Sequence, residues 1–303
     1  MGCEPCAYTT LWKGNDVGFE LERHRRAMKL AAGGIGTSLL LGLTGCSAEL
    51  SDQFARIGLQ APASDRAHYM GNLWIGAWVA CAVIGALVWG LIFYSMYKFR
   101  RRPGNEVPRQ TAYHLPLELL YTLVPILIVG VLFFYTVKAQ NRVLATEDNP
   151  DHTIKVVGQK WSWTFNYMEQ ENAAVGADVH EIGTIEKIPD LYLPVGESVR
   201  FELTSADVIH SFWVPAFYFK MDAIPGKPNA FELTPEKVGV YDGKCAELCG
   251  TYHAAMLFTV HVVSPDEYDA YLKGLKDKGQ TGTKLGPAYP SQMASAPAKE
   301  TEK

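Results

Sequence analysis

The chain has 303 residues, enough for one or two domains, and 48% of them are hydrophobic. Its net charge of -4 is unevenly distributed: residues 147–273 carry 20 Asp and Glu against 9 Lys and Arg, whereas residues 98–109 carry 5 basic residues and 1 acidic residue. So acidic a C-terminal region argues against nucleic acid as a partner. An acidic surface could bind a basic soluble protein or pack against a complementary subunit. The alternative is an ordinary solvated surface, which would have the same composition.

The first 45 residues have the layout of a secretory signal. A basic cluster at residues 23–29 precedes the apolar run 30–43, which is too short to span a membrane comfortably. The run ends in the tetrapeptide LTGC, which resembles a bacterial lipobox whose last residue, Cys46, is lipidated on its thiol after cleavage. The alternative is a plain signal peptide with a chance cysteine. We expect residues 1–45 to be removed and residues 46–71 to form an exported N-terminal segment.

Two long apolar stretches follow, at residues 73–97 and 115–137. Each exceeds the ~20 residues that a helix needs to cross a bilayer, so residues 72–140 are predicted to form a transmembrane hairpin. The loop between them, residues 98–114, is strongly basic, and the positive-inside rule places such a loop in the cytoplasm. Both termini and the whole C-terminal domain are then expected on the outer face of the cell membrane.

Glu118 is the acidic residue within the second apolar stretch. A carboxylate at this depth is costly unless it faces protein, water or a proton path, which favours a functional role. The alternative is that Glu118 lies in the headgroup zone and extends its side chain towards water.

Residues 150–275 alternate β-rich runs with turn signals, which predicts a Greek-key β-sandwich or barrel. The strands are expected at residues 153–157, 161–167, 198–204, 231–234 and 257–263. The polar segment 168–190 is predicted to be a long excursion between strands, and residues 265–273 to form a short amphipathic helix. The Lys-, Gly-, Ser-, Pro- and Ala-rich tail, residues 276–303, is predicted to be disordered.

One stretch concentrates metal-binding side chains: Cys245-Ala-Glu-Leu-Cys249-Gly-Thr-Tyr-His253-Ala-Ala-Met256. Two thiolates, an imidazole and a thioether suit copper, whereas a thioether is a poor zinc ligand. His210 follows an earlier predicted strand, so a separate loop can deliver a second imidazole. Two cysteines four residues apart could bridge a pair of copper ions; the alternative is a structural disulfide, which an oxidising exported compartment would permit.

This stretch matches the C-x-E-x-C-G-x-x-H-x-x-M signature of the cytochrome c oxidase subunit II family. Asp207-Val-Ile-His210-Ser-Phe-Trp-Val-Pro215 resembles the first-histidine motif of the same family, and residues 118–125 and 220–226 resemble two further motifs. The resemblance covers roughly residues 70–265. It implies an α+β membrane protein, in which an N-terminal two-helix transmembrane hairpin is followed by an exported cupredoxin-like Greek-key β-sandwich.

The resemblance also implies a set of functional residues. A binuclear copper centre, CuA, would be held by the side chains of His210, Cys245, Cys249, His253 and Met256 and by the carbonyl of Glu247. The Glu247 carboxylate would reach a Mg or Mn ion shared with subunit I. Trp161, in a stretch similar to the family's aromatic segment, would receive electrons, and Glu118 would lie at the entrance of a proton-uptake channel. The family usually has Tyr where this chain has Ser162.

The implied protein is subunit II of an aa3-type cytochrome c oxidase, which passes electrons from cytochrome c to haem in subunit I, where O2 is reduced to water and protons are pumped. Subunits I and III, cytochrome c and membrane lipid would be its partners. The lipobox and segment 168–190 look similar to the actinobacterial branch, so a membrane-bound cytochrome c of a bc1 complex is a candidate donor. The alternative is a membrane-anchored copper-binding assembly or storage lipoprotein, against which the two-span hairpin argues. A quinol oxidase subunit would lack the copper ligands.

Overall fold

The computed structural model describes residues 48–101 and 110–285. A short helix, α1 (Ala48–Ala55), belongs to the first of two compact units, and everything from Arg56 onwards belongs to the second. The predicted signal sequence, Cys46, the middle of the basic loop and the last 18 residues of the tail lie outside the described residues.

Two long helices, α2 (Asp65–Lys98) and α3 (Leu115–Val143), form the predicted hairpin. Both are long and apolar enough to cross a membrane, which confirms that the two predicted apolar stretches form helices. Each extends beyond its apolar stretch at the end nearest the C-terminal domain, where Ala67, Ala139 and Val143 are buried. Residues 65–71, predicted to belong to the exported N-terminal segment, therefore continue α2.

The C-terminal domain is a sandwich of two five-stranded sheets. The strands are β1 (His152–Gln159), β2 (Ser162–Tyr167), β3 (Val179–Ile182), β4 (Asp190–Pro194), β5 (Val199–Ser205), β6 (His210–Val214), β7 (Phe219–Ala223), β8 (Asn229–Leu233), β9 (Gly239–Cys245) and β10 (Leu257–Val263). The first sheet has the order β3-β2-β1-β5-β8 and the second has the order β4-β10-β9-β6-β7. A helix, α4 (Pro265–Asp277), follows the last strand, four residues longer than predicted.

The core between the sheets is rich in aromatic side chains. The Trp163 ring contacts Phe212 and Phe258 edge to face, with centroids 5.9 and 5.6 Å apart. Burial alternates residue by residue along β5, as expected for a strand with one face against the core. This packing fixes β1, β6 and β9, whose ends carry the candidate site.

Segment 168–190, predicted as an excursion between strands, contains a strand of its own. It contains β3, which pairs with β2, and its Asn172 bonds with Asp269 of α4 at 3.1 Å. The chain after α4 returns to this edge, where Lys284 N–H donates to the Asn166 side chain at 2.6 Å. Residues 276–285 were therefore wrongly predicted to be disordered: the segment and the tail cover the outer face of β2, whose six residues are all buried.

Candidate metal centre

Two strands and one loop bring the predicted ligands together. His210 is the first residue of β6 and Cys245 is the last residue of β9, and these strands are antiparallel neighbours with Phe212 opposite Cys245. After Cys245 the chain turns through a loop that is closed by a hydrogen bond from Cys245 N–H to the Met256 carbonyl, 3.0 Å. Pairing of the strands therefore brings together His210 and the loop, although they lie 35 residues apart in the chain.

The donor atoms converge in a small volume. Cys245 Sγ lies 3.9 Å from Cys249 Sγ and 3.8 Å from His210 Nδ1. Cys249 Sγ lies 3.5 Å from His253 Nδ1 and 3.8 Å from Met256 Sδ. The carbonyl oxygen of Glu247 is 3.3 Å from Cys245 Sγ. All six predicted donors of the copper site are therefore neighbours.

The two sulfurs are not joined as a disulfide. Their 3.9 Å separation is nearly twice the length of an S–S bond, and both cysteines are free and buried. Soft thiolates with imidazoles and a thioether form a donor set typical of copper. Cys245, Cys249 and His210 offer ligand atoms within 4.8 Å of one another, so the residues present fit a copper ion.

Two residues support His210 from outside the donor set. Asp207 Oδ1 lies 2.7 Å from His210 Nε2, so the carboxylate orients the ring and leaves Nδ1 facing the sulfurs. Gly158 of β1 backs the same ring, because a Cβ at this position would lie 2.9 Å from His210 Cδ2. From the sequence, Asp207 belongs to a motif but has no assigned role, and Gly158 is not singled out. Only the short distance between β1 and the His210 ring shows that Gly158 leaves room for this ring.

The two thiols of the site differ in pKa. Burial raises the pKa of the Cys245 thiol, but hydrogen bonding to His210 and to the backbone of Glu247 and Ser211 outweighs burial and holds that pKa below its ordinary value. Burial and the neighbouring Cys245 thiolate raise the pKa of Cys249. A thiolate therefore forms first at Cys245, and a metal that bound both sulfurs would have to displace a proton from Cys249.

Trp161 links the ligand loop to the surface. Its Nε1 donates to the Cys249 carbonyl at 3.2 Å, and its ring meets Tyr252 edge to face with the centroids 5.0 Å apart. Gly250 allows this approach, since a Cβ there would lie 3.2 Å from the indole and its φ is +121°. Leu248 is 79% exposed and Tyr252 50% exposed, so the loop presents an apolar surface beside the half-buried Trp161.

Glu118 lies far along the chain from this cluster and has a local structural role. Its Oε1 accepts a hydrogen bond from His114 N–H at 3.0 Å, and His114 Nδ1 accepts one from Leu117 N–H at 3.3 Å. Together these two bonds cap the first turn of α3. The capping bond explains why a carboxylate is tolerated at this position without requiring a further function.

The fold and the site define a membrane-anchored protein whose cupredoxin-like domain carries a candidate copper centre. Residues 152–263 match the family model described as cytochrome c oxidase subunit II, periplasmic domain. A probable cytochrome c oxidase subunit 2 of Streptomyces coelicolor is 41% identical, over 89% of this chain and 92% of that protein. Cytochrome c oxidase subunit 2 of Mycobacterium tuberculosis is 34% identical, over 82% of each chain.

Among solved structures, the periplasmic domain of subunit II of cytochrome oxidase (CoxB) of Bradyrhizobium japonicum is 33% identical. The similarity covers 44% of this chain and 99% of that domain, with a TM-score of 0.38. The extent of the match to the Streptomyces protein shows that this chain belongs to the cytochrome c oxidase subunit II family. It is thus a subunit of a haem-copper oxidase, with a membrane anchor and a periplasmic domain.

Proposed function

We propose that this chain holds a binuclear copper centre, CuA, and serves as the electron-accepting subunit of an aa3-type cytochrome c oxidase. The observation that carries the proposal is the convergence of two free buried thiols with His253 and Met256 of the same loop and with His210 of β6. When bound, the copper pair would supply one-electron redox chemistry between cytochrome c and the haem of subunit I. The chain's own residues hold the donors in place and shield them from water.

Shielding follows from burial of the donors. His210 and Met256 are fully buried and the two cysteines nearly so, whereas His253 is half-buried and lies towards solvent. Rigid donors change little in position when charge moves, and the hydrogen-bonded loop and the Asp207 contact restrain them further. Such restraint favours electron transfer over release of the metal, which is the property that separates this proposal from a copper-storage function.

Trp161 is the proposed point at which electrons enter. The indole donates a hydrogen bond to the carbonyl of a ligand residue, Cys249, and its ring contacts the exposed Tyr252. A donor protein could dock there, and the acidic balance of the domain favours a basic one such as cytochrome c. A membrane-bound cytochrome c of a bc1 complex remains the proposed donor for an actinobacterial type of oxidase.

Further assignments rest on the family. The exposed Glu247 carboxylate is proposed to bind a Mg or Mn ion shared with subunit I, while its carbonyl faces Cys245. Glu118 is proposed to lie at the entrance of a proton path, and subunit III is a further proposed partner. Cys46 is the proposed lipid attachment point, with both termini on the outer face of the plasma membrane.

The test is copper loading of the full chain purified in detergent. We expect two copper ions per chain that share one unpaired electron, visible by electron paramagnetic resonance, with thiolate charge-transfer bands in the optical spectrum. Cys249→Ser should abolish the signal of the shared unpaired electron and change the thiolate bands, and Cys81→Ser, at an exposed cysteine of α2, should leave both unchanged. A single localised Cu(II) in the unaltered chain would contradict the proposal and favour a copper-handling protein.

A further inference from the structure

An open groove of about 730 Å³ lies between α2 and α3, at the end of the hairpin nearest the β-sandwich. One face of α2, from residue 69 to residue 80, forms one wall, and one face of α3, from residue 131 to residue 142, forms the other. The spacing of the lining residues follows the helical repeat, so each wall is a continuous stripe along its helix. The groove is separate from the candidate metal centre, whose residues do not line it.

The chemistry of the groove changes along its length. Gly76, Ala77 and Ala80 of α2 face Leu132 of α3, and these small or apolar side chains leave a narrow hydrophobic channel. At the end near the sandwich the lining becomes polar and cationic, with Lys138 and Arg142 one helical turn apart on α3. The groove therefore has an apolar body and a positively charged mouth.

The two cationic side chains at the mouth have no counter-charge. Both are exposed, and within residues 48–101 and 110–285 no carboxylate forms an ion pair with either of them. The neighbouring Arg66 does not compensate them, since it is also cationic and its guanidinium donates to the carbonyls of Arg142 and Ala145. An anion at the mouth would neutralise charge that the described protein leaves unpaired.

The groove fits the part of one membrane leaflet that is nearest the headgroups. From residue 131 to residue 138, where its lining becomes cationic, α3 rises by about 10 Å at 1.5 Å per residue. The hydrocarbon core of a bilayer is ~30 Å thick, so each leaflet contributes about 15 Å, and the apolar part of the groove covers about two thirds of that depth. Because the charged mouth is at the end nearest the periplasmic domain, the groove lies in the outer leaflet, with its mouth at headgroup level.

We propose that this groove binds an anionic phospholipid of the outer leaflet. Its acyl chain would lie along Gly76, Ala77 and Ala80, and its phosphate would contact Lys138 and Arg142. An apolar channel that extends about 10 Å into the outer leaflet and ends in two cations is complementary, in both shape and charge, to the headgroup and upper acyl chain of a single lipid molecule. The inference depends on the membrane hairpin and not on copper, so it can fail or succeed independently of the proposed function.

The test uses the assembled oxidase containing the full chain, reconstituted in phosphatidylcholine nanodiscs with a trace of photoactivatable lipid. The probe is phosphatidylglycerol with a diazirine in its acyl chain, and phosphatidylcholine with the same chain is the headgroup control. We expect phosphatidylglycerol to label peptides lining the groove. Lys138→Gln with Arg142→Gln should weaken its binding about 30-fold, the effect of removing two cations beside an anionic lipid.

Two matched controls distinguish the groove from general effects on the helices. Arg100→Gln with Arg101→Gln removes the same charge at the opposite end of the hairpin and should leave labelling unchanged. Gly76→Leu should block the channel and abolish labelling, because a side chain there meets no atom within 4 Å and can fill the open space. Gly90→Leu, equally unobstructed on the same helix but outside the groove, should have no effect.

Three results would overturn the proposal. Equal labelling by the two lipids would show that the charged mouth does not select a headgroup. Undiminished labelling of the Lys138 and Arg142 double variant would show the same. Displacement of the probe by inorganic phosphate alone would assign the groove to a different occupant.

Discussion

Replacing Gly158 by alanine is expected to weaken copper binding while leaving the chain folded. Gly158 lies on β1 with its α-carbon against the His210 ring, and an added Cβ would lie 2.9 Å from Cδ2 and 3.1 Å from Cβ and Cγ. These distances are shorter than an ordinary van der Waals contact by about 0.5 Å. The His210 ring must therefore move by a similar amount, towards the sulfurs or away from Asp207.

The expected loss of copper affinity follows from how precisely a metal ligand must be positioned. A functional side chain must be held within about 0.5 Å of its productive position, and the added methyl group uses that whole margin. Loss of support outside the ligand shell typically lowers metal affinity by about 10- to 100-fold. The same crowding should lower the free energy of unfolding of the metal-free chain by about 1–3 kcal/mol.

The assay is a competition titration of copper against a chelator, followed through the thiolate absorption bands of the full chain in detergent. Gly274→Ala in α4 is the matched control, because its Cβ meets nothing within 4 Å. That control should bind copper normally and gain about 0.5–1 kcal/mol of stability from the helix. A Gly158→Ala chain with unaltered copper affinity and spectrum would refute the supporting role assigned to this glycine.

Three further predictions concern electrons, protons and pH. Trp161→Phe removes one hydrogen bond, worth about 1 kcal/mol, and should slow reduction of the oxidase by cytochrome c far more than it lowers stability, as measured by stopped flow. Glu118→Gln keeps a side-chain oxygen that can accept the hydrogen bond of the helix cap, so the stability of the chain should not change. Proton-coupled turnover of the oxidase should fall, which would show a proton role in addition to capping. Burial lowers the pKa of His152, but hydrogen bonds with Glu169 and Glu197 outweigh burial and raise it overall. Because the pKa is raised in the folded state, this stabilisation is complete below the unfolded value of ~6.5 and is lost as pH rises through the folded value. His152→Gln should lower the free energy of unfolding by about 1.5–3 kcal/mol at acid pH and remove its dependence on pH in this range.

Each of these predictions has its own control. Trp78→Phe, in the exposed surface of α2, should leave the rate of reduction unchanged. Glu118→Ala should destabilise the first turn of α3, and equal turnover of the Gln variant and the unaltered chain would leave Glu118 a capping residue only. Glu197→Gln removes one of the two carboxylates at His152, so denaturation curves between pH 5 and 8 that match those of the unaltered chain would contradict the assigned partnership.

The membrane hairpin and the ligand set were predictable from the sequence, for a physical reason. A bilayer requires about 20 consecutive apolar residues, and copper requires soft donors, so both constraints are written in short contiguous stretches. The stretch from Cys245 to Met256 supplies four side-chain donors by itself, and the structure confirms that they are neighbours. The helix after β10 was also predictable, because Ser264 and Glu267 form a capping box.

Other features depended on contacts between distant parts of the chain. Five strands, β3, β4, β6, β7 and β9, were not predicted. In β9 two glycines and two charged residues interrupt the apolar pattern, so only its pairing with β6 and β10 makes it a strand. The order of segment 168–190 and of residues 276–285 likewise arises from mutual covering of one sheet edge, which neither segment reveals alone.

The sequence by itself determined the class of the protein, because hydrophobic length and ligand identity are local properties of the chain. Only the tertiary structure decided how His210 meets the cysteine loop, what holds its ring and where Trp161 contacts that loop. It alone placed Lys138 and Arg142 at the mouth of a groove. These are distances between residues far apart in sequence, and they are set by strand pairing and helix packing rather than by any local pattern.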